Sequence, residues 1–289
     1  MSTDPIITDQ PIPPAQTPSS LKSRLRLRLH SQFPSELMDE ARDFMVYLPP
    51  MYEAEANRHY PTLYLQDGQN LFDPDTAFIP GKYWRVGETA DELIMTGAIE
   101  PLVIVGIYNT GVRRIDEYTH IEDKRLGGGQ ADAYGRMLVE ELKPFVDHRY
   151  RTLPGIENCG LGGSSLGGLV SMYLALRYGW VFGKLAVMSP SVWWRNRAIL
   201  KTVARIKRKP ELRIWLDIGT QEGQRALLDA RALKTALVNK RWKLGEDLCY
   251  TEVEGGHHDE VAWSQRVAPM LQFLFPRHTG APLLKAESR

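Results

Sequence analysis

From about residue 61 onward, short apolar runs alternate with stretches whose apolar residues recur every three or four positions. The runs at 62–66, 102–107, 158–161, 184–188, 213–218 and 248–253 are short and mostly apolar, several rich in β-branched residues, as expected of strands buried on both faces. Helical periodicity marks 88–96, 131–149, 167–178, 226–240 and 260–275. This alternation predicts an α/β fold: a mostly parallel central sheet with helices on both faces. Two earlier segments differ. Arg and Leu alternate with period two over 24–29, as in a half-buried strand, and 43–48 stops at Pro49-Pro50, which cannot extend a ladder. They are expected as antiparallel strands at the N-terminal edge of the sheet.

Composition narrows the class without naming a chemistry. The 289 residues are 43% hydrophobic and 25% charged, which excludes global disorder. Lys+Arg 36 against Asp+Glu 35 leaves +1, so the basic excess of a nucleic-acid binder is missing. No apolar run approaches the roughly 20 residues that span a bilayer. The first 20 residues hold five prolines, no early positive charge and no continuous apolar segment, the pattern of a disordered tail rather than a secretion signal. The expected layout is a tail over 1–20, one catalytic domain over 21–277 and a C-terminal tail over 278–289, in a cytoplasmic protein whose oligomeric state is open. Cys159 and Cys249 are too few for a disulfide framework or a zinc cluster and read as small core residues.

In sheets of this kind ligands bind beyond the carboxyl ends of the strands. One such end carries Gly160-Leu-Gly-Gly-Ser-Ser-Leu-Gly-Gly168. A dinucleotide fingerprint counted from Gly160 would need glycine where Ser165 stands, and a P-loop would need a lysine that is missing. Gly163-Ser-Ser165-Leu-Gly167 instead fits G-x-S-x-G between a strand and a helix. There a sharp turn lifts a serine above the sheet, and glycines two positions to either side leave room for the backbone to fold back. Only Ser165 has glycine at both offsets, which sets it ahead of Ser164. The N–H of Leu166, at the helix start, would face developing negative charge.

A nucleophilic serine needs a base and a group to orient it, and folds with this elbow supply them in the order Ser, Asp/Glu, His. His257 and His258 lie in Glu254-Gly-Gly-His-His-Asp259, after a predicted strand and before a predicted helix; His278 falls in the tail. The acid is expected in Asp217-Ile-Gly-Thr-Gln-Glu222. Glu222, on the loop, is better placed to reach a histidine above the sheet than Asp217, inside the strand. A second oxyanion donor is expected after an earlier strand, in Gln66-Asp-Gly-Gln-Asn70, where Gly68 would permit an unusual turn and aim the N–H of Gln69.

The set Leu65-Gln-Asp-Gly-Gln-Asn-Leu-Phe-Asp73, Gly163-Ser-Ser-Leu-Gly-Gly168, Ser189-Pro-Ser-Val-Trp-Trp194, Gly219-Thr-Gln-Glu222 and His258-Asp-Glu-Val-Ala-Trp263 resembles the putative esterase family. That group includes esterase D, enterobactin-type trilactone esterases, feruloyl and acetylxylan esterases and mycolyltransferases. The resemblance runs from about Phe44 to Phe275. It implies an α/β-hydrolase fold with nucleophile, acid and base at Ser165, Glu222 and His258, although the family's acid is often Asp. His258 stands five residues before Trp263, as in the family. Asp259 is a suitable N-cap for the following helix, which would turn His258 inward and His257 away.

Asn109, Arg113, Arg114, Glu117 and Tyr118 follow one strand end, and Trp193 and Trp194 another, so these are candidates to line the substrate pocket. No apolar insertion suggests a lid. The expected activity is hydrolysis of short-acyl or aryl esters through an acyl-enzyme, with a small-molecule ester as partner and no metal or cofactor. An acyltransferase of the same fold and a non-catalytic ligand-binding relative are the alternatives.

Overall fold

The computed structural model describes residues 25–277, so the expected tails and the first residue of the first expected strand lie outside the described residues. Strands β1 (Leu27–Phe33), β2 (Arg42–Tyr47), β3 (Thr62–Gln66), β4 (Val103–Ile107), β5 (Cys159–Ser164), β6 (Lys184–Met188), β7 (Arg213–Gly219) and β8 (Leu248–Val253) form one sheet. Their spatial order is β1-β2-β4-β3-β5-β6-β7-β8. β2 runs antiparallel to both β1 and β4, and every other neighbouring pair is parallel. β1 and β2 therefore lie antiparallel at one edge of the sheet, as the segments at 24–29 and 43–48 predict. β1 continues past the Arg/Leu alternation because its register shifts between His30 and Phe33, which restores pairing with Arg42.

Successive side chains of the inner strands enter two cores, one on each face. Tyr64, Val105, Leu161, Val187 and Leu216 join the larger core, with α3 (Ala131–Arg136), α4 (Lys143–Arg149), α5 (Leu166–Arg177), α6 (Trp194–Ala204) and α7 (Gln224–Asn239) over it. Leu63, Leu65, Ile104, Ala186 and Met188 join the other, beneath α1 (Val86–Met95) and α8 (Glu260–Leu274). The remaining helix, α2 (Arg114–Glu117), is a single turn.

The helical stretch 131–149 is not uniform. A π-helical segment, Met137–Leu142, joins α3 to α4, which opens with Pro144 in its first turn. The wider turn accommodates a proline that cannot donate to the preceding ladder. α6 is not among the helices expected from periodicity, and its first turn departs from helical geometry: Arg195, Asn196 and Arg197 adopt left-handed backbone angles.

The connection after β3 leads to β4 on one side, and the chain then crosses back to lay β5 on the other. The strand order thus reverses at β3/β5, which opens a crevice between their carboxyl ends. The loops after β3 and β5 border that crevice.

Candidate active site

Ser165 follows β5 directly and caps the N-terminus of α5 at φ 56°, ψ −122°, a conformation that side chains other than glycine's rarely adopt. The turn is held from three directions: Ser165 N–H donates to Met188 O (3.0 Å), and Ser165 O accepts from Ser191 N (2.9 Å) and Leu169 N (3.1 Å). Its flanking glycines are tightly packed, Gly163 too tightly for any side chain. A Cβ on Gly163 would lie 2.9 Å from both Gln66 Cβ and the Gly167 carbonyl carbon, and one on Gly167 would lie 3.0 Å from Gln66 Cβ. Ser164 is buried in the strand.

The loop after β8 turns through Gly255 and Gly256 into α8, where Asp259 Oδ1 accepts from Ala262 N (2.8 Å) as the N-cap. This brings His258 Nε2 to 3.0 Å from Ser165 Oγ, while His257 is exposed to solvent. His258 Nδ1 lies 2.6 Å from Glu222 Oε2. A carboxylate can only accept, so Nδ1 carries hydrogen and Nε2 is left to accept from the serine.

The Glu222 side chain is buried, although its backbone is partly exposed, and Oε1 accepts from Gly219 N (2.7 Å) and Ser189 Oγ. Burial pushes its carboxyl up, but the hydrogen bonds from His258, Ser189 and Gly219 outweigh this and hold it below its ordinary range. Asp217 stays beneath the site, inside β7. It accepts from Trp215 Nε1 (2.6 Å) and Arg266 Nη1 (2.9 Å), and burial raises its pKa. Glu222, not Asp217, is the carboxylate that reaches the histidine.

Leu166 is the first residue of α5, so its N–H has no intrahelical acceptor. Gln69 lies in a single 3₁₀ turn, Gly68–Asn70, beside the crevice. The reason for glycine there differs from the expected one. Asp67 takes the left-handed conformation (φ 58°), whereas Gly68 is needed because its backbone presses on β4: an added Cβ would lie 2.3 Å from the carbonyl carbon and oxygen of Gly106. Gly68→Ala should therefore cost about 1–3 kcal/mol and displace this turn. Thermal unfolding should show a fall in Tm of several degrees, with a larger proportional loss of turnover.

Two clefts meet at His258. The larger, about 580 Å³, is lined by Asp67, Asn109, Arg114, Ser165, Glu260 and an apolar set including Phe78, Trp84, Val112 and Trp263. The smaller, about 290 Å³, is lined by Ser189, Ser191, Trp193, Glu222, Arg225 and Asp229. Asn109 borders the larger cleft and Trp193 the smaller. Arg113 borders neither: it turns outward to Asp39 (3.2 Å) and Glu40. The neighbouring Arg114 lines the larger cleft instead, in a two-point bond to Asp67 (2.7 and 2.8 Å). Trp194 is also misplaced by the sequence reading. It is buried in the core and donates to Ile121 O (2.8 Å), since α6 turns it down onto the sheet. Glu117 is buried against Arg42 and supports the fold.

Three polar residues around the relay, Ser189, Ser191 and Arg266, are not among the expected site residues. Ser189 Oγ accepts from Trp263 Nε1 (3.0 Å) and Arg266 Nη1 (2.8 Å), and Ser191 Oγ lies 3.2 Å from Ser165 Oγ. Arg266 had a readable signal: it occupies an inward position among Trp263, Val267, Met270 and Leu271, where a charge is out of place without a partner.

A profile of the family described as Putative esterase matches residues 35–274. The chain belongs to that family. Among relatives of this esterase, the uncharacterised protein YbbA of Bacillus subtilis is 27% identical over 82% of the chain and 94% of the relative. A Xylanibacter ruminicola endo-1,4-β-xylanase/feruloyl esterase is 26% identical over 84% of the chain, which spans only 30% of that larger protein. Among solved structures, the BES protein of Bacillus cereus superposes with a TM-score of 0.68 at 20% identity, covering 92% of this chain and 99% of the other. The enterobactin esterase FES of Shigella flexneri gives 0.65 at 21% identity, covering 83% of this chain and 57% of the other. These structures share the α/β-hydrolase-like fold, and family membership makes the chain a carboxylic-ester hydrolase. No helix among the described residues is long and apolar enough to cross a membrane.

Proposed function

We propose that this esterase hydrolyses short-acyl or aryl esters by serine catalysis, with Ser165 as nucleophile, His258 as base and Glu222 as the acid that orients it. The observation that carries this reading is the unbroken relay from Glu222 Oε2 to His258 Nδ1 (2.6 Å) and from His258 Nε2 to Ser165 Oγ (3.0 Å), built on a strained elbow. Ser165 Oγ bonds to the ester carbonyl carbon as its proton passes to Nε2. The N–H groups of Leu166 and Gln69 stabilise the oxyanion. The C–O bond to the alcohol then breaks and Nε2 returns the proton to the leaving oxygen. Water, deprotonated by the same nitrogen, opens the acyl-enzyme and releases the acid.

The aromatic and aliphatic wall of Phe78, Trp84, Val112 and Trp263 supports an apolar acyl or aryl group in the larger cleft. Phe78 and Val112 are 81% and 92% exposed, so among the described residues this rim is open to solvent. The cytoplasm remains the compartment we propose, since Cys159 and Cys249 are free thiols.

A fluorophosphonate probe should label the protein at Ser165, and purified protein should turn over p-nitrophenyl acetate and butyrate. Relatives named as feruloyl and enterobactin esterases make feruloyl esters and a trilactone the next substrates to assay. An unlabelled Ser165 would remove the nucleophile assignment. Labelling with every ester inert would replace hydrolysis by transfer to a specific acceptor.

A further inference from the structure

Behind Glu222 lies a buried set of charges larger than the relay requires. Arg266 and Asp217 are both essentially without solvent exposure, as is Glu222. Arg266 Nη1 donates to Asp217 Oδ1 (2.9 Å), while both Nη1 (3.4 Å) and Nη2 (3.3 Å) approach Glu222 Oε1. Nη1 also reaches Ser189 Oγ, and Nη2 reaches the carbonyl of His257 (3.2 Å). One guanidinium is thus shared by two carboxylates and tied to the loop that carries the base.

The protonation states follow from the partners. Asp217 receives only donors: Arg266 and Ser189 N at Oδ1, and Trp215 Nε1 at Oδ2. It is therefore a carboxylate. Two negative charges and one positive charge leave a single net negative charge, presented to His258 through Glu222 Oε2.

We infer that Arg266 is a positioning residue which, shared between Asp217 and Glu222, sets the net charge facing His258 and hence the pH range in which His258 acts as a base. This inference rests on the assignment of His258 and Glu222 proposed above. A surface arginine would be screened by water; this one is not, because nothing but protein separates it from the carboxylates. Losing its charge would leave two uncompensated carboxylates behind His258 and favour the protonated imidazole. Losing the charge of Asp217 would commit Arg266 to Glu222 and disfavour it.

Other charged groups face His258 as well. Glu260 of α8 lines the larger cleft and Arg225 of α7 the smaller. The remainder are paired: Asp67 with Arg114 across the larger cleft, and Asp229 with Arg197 beside the smaller. All of these are retained in the variants below, so they do not contribute to differences between them.

The test is the acid limb of the kcat/KM profile for p-nitrophenyl acetate, which reports the free enzyme's base. The acid limb of Arg266→Met should move to higher pH by about half a unit or more, and that of Asp217→Asn to lower pH by a similar amount. Arg266→Lys, which keeps the charge, should keep the wild-type limb even where the maximum rate falls. The double variant Arg266→Met/Asp217→Asn keeps the single net negative charge, on Glu222 with its bonds from Gly219, Ser189 and His258, and should return close to the wild-type limb, so the inference can be tested even if Arg266→Met does not fold. A merely structural role would lower the rate at every pH without moving the limb. An unmoved limb in folded Asp217→Asn overturns the inference while leaving the triad standing. Wild-type turnover in Ser165→Ala would overturn the triad reading, and this inference with it.

Discussion

His258→Ala should lower kcat/KM by about 10⁴-fold or more, because a triad acts as a unit and its members are grossly non-additive. His257→Ala should cost less than about tenfold. The two residues are adjacent and chemically identical, so the contrast isolates geometry. Both residues are solvent-exposed, but His258 Nε2 lies 3.0 Å from Ser165 Oγ, whereas His257 meets the site through its backbone carbonyl, which accepts from Arg266. Substituting alanine at 257 keeps that carbonyl. Steady-state kinetics on both variants, with circular dichroism to confirm folding, decides the matter. A dead His257→Ala beside an active His258→Ala would reverse the assignment.

Glu222→Gln should reduce kcat/KM by about 10²–10⁴-fold while preserving the fold, the range seen when the acid of a protease triad is replaced by its amide. A neutral amide cannot stabilise the imidazolium, and its NH₂ can face Nδ1 and favour the wrong tautomer. It would also receive the bonds from Gly219, Ser189 and Arg266 less well, since all three are arranged around a carboxylate. Asp217→Asn provides the comparison. Above its acid limb it should retain turnover within about tenfold of wild type, because Asp217 has no contact with His258. A crippled Asp217→Asn and a mild Glu222→Gln would move the acid into β7.

The sheet was readable because its inner strands are apolar on both faces, and no other arrangement hides so much of them. The apolar run predicts β5 only as far as residue 161, since three of its six residues are glycines and no propensity scale favours them in a strand. They are there because neighbours intrude: a Cβ on Gly162 would stand 2.6 Å from Ala186 Cβ. Around the site, the residues whose roles depend on local chain direction could be anticipated. G-x-S-x-G places Ser165 at the turn between β5 and α5, and the capping aspartate sets His258, not His257, beside it.

Residues whose roles depend on which loops meet across the crevice were harder to place. Arg113 and Arg114 are indistinguishable by type, and only the position of Asp67 on another loop decides which one turns inward. Trp193 and Trp194 divide between cleft and core for a similar reason, because left-handed residues just after them redirect the chain. Arg266 lay in plain view on a buried helical stripe, but its carboxylate partners come from β7 and the loop beyond it.

The backbone at Ser165 also bears on what kinds of selection could preserve this chain. Its φ of 56° with ψ of −122° costs roughly 1–3 kcal/mol in any residue that carries a Cβ, and glycine alone escapes most of that cost. Alanine at this position would remove the hydroxyl and keep the burden. Under selection for thermal tolerance alone, glycine is thus the replacement that a mutant library should enrich at position 165, in exchange for turnover. A serine persists there only while some ester, or another acyl donor, makes its hydroxyl worth retaining.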